Sequence, residues 1–265
     1  MKHFSSFRIF NFVLFLALLG GIQSCSKDAE KDLMAENSQL SQTELSTILE
    51  ADQWTGVLDE VLLDLYEKNT AAAAKFADDN CYEITYTETG FRVVFDNCIL
   101  NTTDAVNGVL EVTYASNPEV TSFTVSYSDF FVGSVQLNGI RTITVSQEGD
   151  RSLLLSVSSE MTVVFEDGTT LTENGIKNLE FQFGESLGET SYSITGDWTV
   201  TNGNTIYSVS TTEPLNGTLL CEYLVSGLMD IDKNGLELRV DFGDGSCDNL
   251  VTIIYPSGAT EEIEL

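Results

Sequence analysis

The stretch CYEITYTETGFRVVFDNC, residues 81–98, decides the fold because it reads as a strand, a turn and a second strand. A cysteine stands at each outer end, where the partners of an antiparallel hairpin come close together. The stretch CEYLVSGLMDIDKNGLELRVDFGDGSC, residues 221–247, has the same pattern with a longer excursion. Four cysteines permit three connectivities, and no CxxC pair supports a thiolate metal site. We predict two disulfides in an exported protein, Cys81–Cys98 and Cys221–Cys247.

Alternation of apolar and polar residues continues from this hairpin toward the end of the chain. Leu110, Val112 and Tyr114 alternate with polar neighbours, as a half-buried strand requires. Turn signals lie between such runs: NG at 107–108, 138–139 and 174–175, DG at 167–168, and NGN at 202–204. A dozen or more strands without helical interludes predict one mainly β domain over residues 78–265. Its antiparallel strands form either a many-stranded sandwich or a curved hairpin meander.

A helical segment precedes the β domain. SQTE at 41–44 matches a capping box, with Ser41 as the N-cap and Glu44 three residues further on. Apolar residues then recur at helical spacing: Leu45, Ile48, Leu49, Leu58, Val61, Leu62 and Leu65. With Gly56 as a potential break, the pattern predicts one long bent helix or two short ones within residues 42–77. Such an apolar stripe usually packs on its own domain.

The first 24 residues have the pattern of a lipoprotein signal peptide. A short basic region precedes an apolar run, Ile9 to Leu19, that is too short to span a bilayer. GGIQSC then resembles a bacterial lipobox, in which Cys25 is acylated and becomes the mature N-terminus. Because Gln23 stands where a small residue is usual, an ordinary secretory peptide with a chance cysteine is the alternative. Residues 25–41 are polar and charged, and predict a flexible tether to the bilayer.

Composition excludes several classes of function. Without residues 1–24 the chain has ten basic and 41 acidic residues, a net charge of −31. Such a surface repels nucleic acid and anionic lipid headgroups. The single histidine, His3, lies in the signal segment, so the mature chain has no Ser-His-Asp or Cys-His unit and no imidazole metal ligand. We expect no cofactor and no catalytic residue.

Two acidic stretches near the C-terminus look most like chemistry. Residues 230–241, DIDKNGLELRVD, fit the calcium-loop spacing, which makes weak calcium candidates of Asp230, Asp232, Asn234 and Asp241. The second half alternates as a strand does, whereas a helix follows such a calcium loop, so DKNG is predicted to be a hairpin turn. In DFGDGSCDN, residues 241–249, glycines permit positive φ and aspartates bond nearby backbone N–H groups. This second stretch is predicted to be a turn that a disulfide ties back.

Several of these segments resemble the uncharacterised lipoproteins common in Bacteroidota. The resemblance rests on the lipobox and three further stretches: LNGIRTITV (137–145), SITGDWTV…NTIYSVSTTEPL (193–215) and DFGDGSCDNLVTIIYPSGATEEIEL (241–265). Its most specific part is the GxGxCDN turn of Gly243 to Asn249. The resemblance covers most of residues 81–265 and implies an all-β envelope lipoprotein without implying an activity. It also implies an outer-membrane location, with the periplasmic and cell-surface sides both open.

The sequence therefore favours a lipid-anchored, non-enzymatic module of the cell envelope that binds a protein or glycan, or serves a structural role. One alternative is a histidine-free glycan hydrolase that uses two carboxylates. A second is a calcium-dependent surface adhesion module. Tyr192, Trp198 and Tyr207 lie in strands and would suit a sugar-stacking platform, although aromatic residues in sheets more often form core or cross-strand pairs.

Overall fold

The computed structural model describes residues 39–71, 81–99, 104–115, 121–147, 149, 151–186 and 189–265. The predicted signal peptide, the lipidation site Cys25 and most of the tether lie outside the described residues, as do residues 72–77 of the helical segment. Within the described part, helix length and hydropathy nowhere reach what a membrane crossing requires.

Among the described residues, one continuous helix, α1, runs over Gln42–Ala71 and does not break at Gly56. The predicted capping box forms at its start. The N–H of Glu44 donates to Ser41 Oγ at 3.2 Å, and the N–H of Ser41 donates to Glu44 Oε2 at 2.9 Å. These two bonds satisfy backbone donors that the first turn of a helix leaves without partners.

In the part of the chain that the structure describes, thirteen antiparallel strands follow the helix and pair in sequence order from β1 to β13. The expectation of a mainly β fold is confirmed, as a hairpin meander. The strands are β1 Tyr82–Tyr86, β2 Gly90–Ile99, β3 Ala105–Tyr114, β4 Thr121–Val132, β5 Val135–Ser146, β6 Ser152–Val164, β7 Thr170–Gln182, β8 Ser191–Asn202, β9 Thr205–Thr218, β10 Ser226–Lys233, β11 Leu236–Asp244, β12 Leu250–Ile254 and β13 Thr260–Glu264.

The helix covers one side of this sheet, which we call the helix face; the other side is the open face. Arg141 of β5 donates from Nη1 to the carbonyl oxygen of Thr55 at 2.9 Å, and Lys233 of β10 lies 2.7 Å from Glu44 Oε1. Buried helix residues complete the contact: Leu45, Ile48, Ala51, Leu58 and Val61. The predicted apolar stripe therefore packs on its own domain.

The core on the helix face contains charged side chains among its aliphatic ones. Glu173 and Lys177 of β7 are both buried, and their Oε2 and Nζ atoms are 2.8 Å apart. The same Nζ lies 4.7 Å from the ring centre of Trp198 on β8. A buried ion pair is stable only when its charges are matched, so these side chains fix each other's positions.

Three of the predicted turns are wrong. The NG dipeptides at 107–108, 138–139 and 174–175 lie inside β3, β5 and β7. Gly139 has a φ of +137°, and a Cβ there would be 2.1 Å from the carbonyl oxygen of Glu160 in the next strand. Because glycine has no side chain, it lets the two strands approach closely at this position. Its positive φ is the same kind of backbone conformation that glycine adopts in a turn. The predicted turns at 203–204 and 234–235 are confirmed.

Both predicted disulfides are confirmed, with Cα–Cα distances of 5.1 Å for Cys81–Cys98 and 5.6 Å for Cys221–Cys247. In the stretch 241–249, residues 241–244 end β11 and residues 245–249 form the predicted turn. Gly243 and Gly245 have φ values of +98° and +104°, and Asp248 Oδ1 accepts the N–H of Leu250 at 3.0 Å. The Asp248 side chain thus stabilises the backbone of the connection between β11 and β12.

Candidate binding groove on the open face

The open face carries a groove of about 720 Å³ over strands β7 to β12. This volume falls within the ~300–1,000 Å³ that small-molecule sites commonly occupy. Its floor consists of side chains that alternate with the buried residues of the helix face. The floor is therefore polar while the strands beneath it remain anchored to the core.

The first row of the floor crosses four strands in register: Asp197, Ser210, Asp230 and Arg239. Ser210 Oγ donates to Asp197 Oδ1 at 2.6 Å. Arg239 donates from Nε and Nη2 to the two oxygens of Asp230, at 2.6 and 2.9 Å. Asp230, first by its hydrogen bond and then by its charge, raises the pKa of Arg239 above its usual value. The bidentate pair fixes the orientation of both groups.

The second row lies beside the first and consists of Thr199, Ser208, Asp232 and Glu237, again in register. Asp232 Oδ1 accepts the N–H of Gly235 at 2.7 Å. Asp232 and Glu237 stand directly opposite each other on β10 and β11. Like charges in that position are destabilising, so this pair costs the free protein stability.

Tyr255 and Pro256 border the groove at one side. They follow β12, where the chain turns toward β13. Tyr255 Oη donates to Glu261 Oε2 at 2.7 Å, and Glu261 stands opposite the buried Ile253, so this bond holds the tyrosine ring on the helix face. The groove therefore presents hydroxyls, carboxylates and one guanidinium, and the tyrosine ring lies on the opposite face of the sheet.

The groove is acidic. Four carboxylates and one guanidinium line it, which gives a net charge of −3. The guanidinium is already paired with Asp230. The groove therefore repels anionic ligands and favours neutral or cationic ones.

The four calcium candidates do not form one site. Asp230 is paired with Arg239, Asp241 Oδ1 accepts the N–H of Gly243 at 2.9 Å, and Asn234 Oδ1 accepts the N–H of Ile206 at 3.2 Å. Among the residues that the structure describes, no group of three acidic, cysteine or histidine side chains could hold a metal ion. The DKNG segment is the predicted hairpin turn.

The sugar-stacking platform suggested by the sequence is wrong for two of its three members. Trp198 and Tyr207 are 6% and 3% exposed and lie on the helix face. Tyr192 is also on that face, half-buried, with its ring centre 6.2 Å from that of Phe181. Alternation puts the neighbour Asp197, rather than Trp198, on the open face.

Sequence reasoning missed Arg239 and Ser210. A usable signal was present for the first. A two-residue turn at 234–235 forces Asp230 opposite Arg239 and Asp232 opposite Glu237, because pairing in a hairpin is counted outward from its turn. The place of Ser210 depends on the register of β9 with β10, which no short motif encodes.

A second polar cluster joins the helix to the sheet, and we call it the latch: Glu44, Tyr207 and Lys233. Tyr207 Oη donates to Glu44 Oε1 at 2.9 Å, and Lys233 Nζ lies 2.7 Å from the same oxygen. Burial alone would raise the pKa of Glu44, but the bonds from Lys233, the Ser41 N–H and Tyr207 together hold it below its usual value. Burial, and then the Glu44 carboxylate, raise the pKa of Tyr207.

Comparison with protein-family models, with curated proteins and with solved structures finds no match to this chain. The class that the structure defines is an antiparallel hairpin meander with one helix across a face and two disulfides. The features that bear on function are the groove and the N-terminal sequence.

Proposed function

We propose that the chain is a lipid-anchored lipoprotein of the bacterial outer membrane that acts as a non-catalytic binding module. The groove on the open face is its ligand site. One observation carries the binding role: the sheet presents an open groove of about 720 Å³ lined by polar groups that hydrogen bonds orient. Sites of small ligands are commonly concave, preformed and equipped with a few fixed polar groups.

The anchor is supported by sequence. The apolar run before GGIQSC and the polar tract after Cys25 fit a signal peptide, a lipidation site and a tether. Acyl chains contribute about 0.8 kcal/mol of membrane affinity for each buried methylene, so several chains hold a protein firmly. A protein with a net charge of −31 is repelled by an anionic bilayer, so the acyl chains supply the main attraction to the membrane.

Binding is tested with a matched pair of variants. Glu237→Gln lies in the groove, whereas Glu160→Gln changes an exposed carboxylate of β6 outside it. The purified full chain is screened by thermal shift against small polar ligands and oligosaccharides. The proposal expects ligands that stabilise the wild type and Glu160→Gln but stabilise Glu237→Gln less, since only a ligand of the native state raises stability. Ligands that stabilise all three proteins equally, or no ligand at all, would contradict it.

The anchor has a separate test. Intact mass spectrometry of membrane-extracted protein is expected to give residues 25–265 plus acyl chains. A Cys25→Ser variant is expected to leave the membrane fraction. An unlipidated wild-type mass would refute the anchor and leave the groove unaffected.

Hydrolysis of a glycan is the second candidate, because the groove brings four carboxylates together on one face of the sheet. A retaining or inverting hydrolase needs two carboxylates across the scissile bond. Incubation of the chain with any oligosaccharide that binds, followed by mass analysis of the sugar, decides between the two. Intact sugar supports the binding module, and shortened sugar supports the hydrolase.

A further inference from the structure

We propose that the chain forms a symmetric dimer in which β1 pairs with β1 of a second copy and continues the sheet. The proposal is independent of the groove, which lies over the later strands, β7 to β12. Three features of the described residues carry it: the backbone direction at the outer side of β1, the self-complementary order of its side chains, and the contrast with the opposite edge at β13.

The outer side of β1 offers backbone hydrogen-bonding groups. Among the residues that the structure describes, β1 pairs with a strand only on the side of β2. The N–H of Thr87 donates to the carbonyl oxygen of Gly90 at 2.9 Å, and the register runs from there through β1 without a bulge. The odd-numbered residues therefore bond to β2, since the bonding direction alternates along an antiparallel strand. The N–H and C=O groups of Tyr82 and Ile84 point away from β2, as the addition of a strand requires.

The two tyrosines of β1 are held in place on the helix face. The ring centre of Tyr82 lies 5.9 Å from that of Phe95, and the ring centre of Tyr86 lies 6.3 Å from that of Phe91. The first of the two disulfides ties the start of β1 to the end of β2. Tyr86 is nevertheless 69% exposed. The edge thus presents positioned aromatic surface to solvent, and aromatic residues are enriched where proteins bind one another.

The order of the side chains in YEITY is self-complementary. A two-fold axis at Ile84 sets two copies of β1 antiparallel, with Ile84 opposite Ile84 of the second copy. Counted outward from that position, each Tyr82 faces Tyr86 of the other copy on the helix face. On the open face each Glu83 faces Thr85, so the two glutamates do not stand opposite each other. Aromatic pairs across strands are stabilising and opposed like charges are destabilising, so this register favours association.

The opposite edge of the sheet is protected against the same contact. β13 reads TEEIE, and the N–H of Leu265 donates to Asn249, so its even-numbered residues point outward. A two-fold pairing of β13 would set Glu262 opposite Glu262 of the second copy. The outward carbonyl oxygen of Glu264 already accepts a bond from Gln42 Nε2 of the helix. Natural sheets commonly use charges and covering elements to block edge pairing, and β1 lacks the run of glutamates that β13 carries.

Analytical ultracentrifugation tests the proposal on the full chain with Cys25→Ser, so that acyl chains take no part in association. We expect the measured mass to rise from one chain to two between about 1 μM and about 1 mM, because a contact of one short strand on each side is small. Added salt should strengthen the dimer, since it screens the repulsion between two strongly acidic chains.

A matched pair of proline variants locates the contact. Ile84→Pro removes an outward N–H of β1 without removing a bond to β2, and it should weaken the dimer by at least about tenfold. Glu262→Pro makes the equivalent change at the β13 edge and should associate as the wild type does. Circular dichroism confirms that each variant is folded.

Charge at the exposed Thr85 tests the register. Thr85→Glu sets a carboxylate opposite Glu83 of the second copy, and Thr85→Lys sets an ammonium group there. We expect the first to weaken and the second to strengthen the dimer, each by about three- to tenfold, because the pair occurs twice. Within one chain Thr85 stands opposite Arg92, so an effect on β1 and β2 alone would have the opposite sign. The same two changes at Thr260 of β13 control for net charge and should leave the dimer unchanged.

The contrary outcomes are distinct. A chain that stays monomeric over the whole range would overturn the proposal. A dimer that Glu262→Pro weakens as much as Ile84→Pro would overturn it too, because the contact would not be specific to β1. Mass that grows beyond two chains would do the same, since an isologous contact closes at two. Effects of equal sign for Thr85→Glu and Thr85→Lys would overturn the pairing around Ile84. Each of these results leaves the groove to its own thermal-shift test.

Discussion

Replacing Glu44 by glutamine is expected to destabilise the protein by about 2–3 kcal/mol, because it removes the carboxylate at the centre of the latch. Lys233 is only 5% exposed, and Glu44 is 24% exposed. Removing one partner of a fully buried pair costs about 3–5 kcal/mol, and partial exposure of Glu44 reduces that figure. The change also weakens the capping box, whose reciprocal bond from Ser41 prefers a charged acceptor.

The effect should depend on pH in a defined direction. The folded pKa of Glu44 lies below its usual value of 4.5. The stability that its carboxylate contributes is therefore present above pH 4.5 and is lost as pH falls through the folded pKa. The difference between the wild type and Glu44→Gln should be largest near neutral pH and should shrink toward pH 3.

Urea denaturation followed by circular dichroism, with the disulfides intact, measures this difference. Glu50→Gln is the matched control, since Glu50 is an exposed glutamate of the same helix, and it should change stability by less than about 0.5 kcal/mol. A Glu44→Gln loss no larger than that of Glu50→Gln, or a loss that does not change between pH 7 and pH 3, would refute the latch.

Three further changes test the fold. Replacing both cysteines of a disulfide by serine should lower the free energy of unfolding by about 3 kcal/mol for Cys81–Cys98 and by about 3.5 kcal/mol for Cys221–Cys247. The two disulfides close separations of 17 and 26 residues, and the longer loop gives the larger effect. A variant as stable in urea as the wild type would refute this. Gly139→Ala should lower the free energy of unfolding by about 2–4 kcal/mol, because the new methyl group would clash with the neighbouring strand. Gly168→Ala is the control, since Gly168 also has a positive φ but has open space around it, and it should cost about 1 kcal/mol. Equal shifts in melting temperature for the two variants would show that φ alone matters. Lys177→Met should lower the free energy of unfolding by about 3–5 kcal/mol, because the buried Glu173 carboxylate loses this ammonium group. Adding Glu173→Gln to this variant should recover part of the loss, as measured by urea denaturation. Losses that simply add would argue against coupling between the two side chains.

Much of the architecture could be predicted because its signals are local. The alternation around Leu110 and Val112 and the capping box of Ser41 and Glu44 depend on residues within one strand or one helical turn. The cysteine pairs followed from hairpin geometry for the same reason. The NG dipeptides were misread since positive φ serves both a turn and a close strand contact, and only the neighbouring strand distinguishes them.

The groove was less predictable because it depends on register across six strands, β7 to β12. The turn at Asn234 and Gly235 fixes one pair of strands, so the opposition of Asp230 and Arg239 was accessible from sequence. Alignment of Asp197 with Asp230 requires β9 between them to be in a particular register, which an irregularity in its pairing with β10 shifts. Such shifts arise from packing on the helix face and leave no short pattern.

Hydrogen–deuterium exchange of the full chain, with and without oligosaccharides released from the bacterial envelope, tests the central claim most directly. If the open-face groove is the ligand site, added sugar should slow exchange in β8 to β11 and in the turn after β12 while leaving α1 unchanged. Slowed exchange in the helix or at β1 to β4 instead, or no change anywhere, would contradict the account.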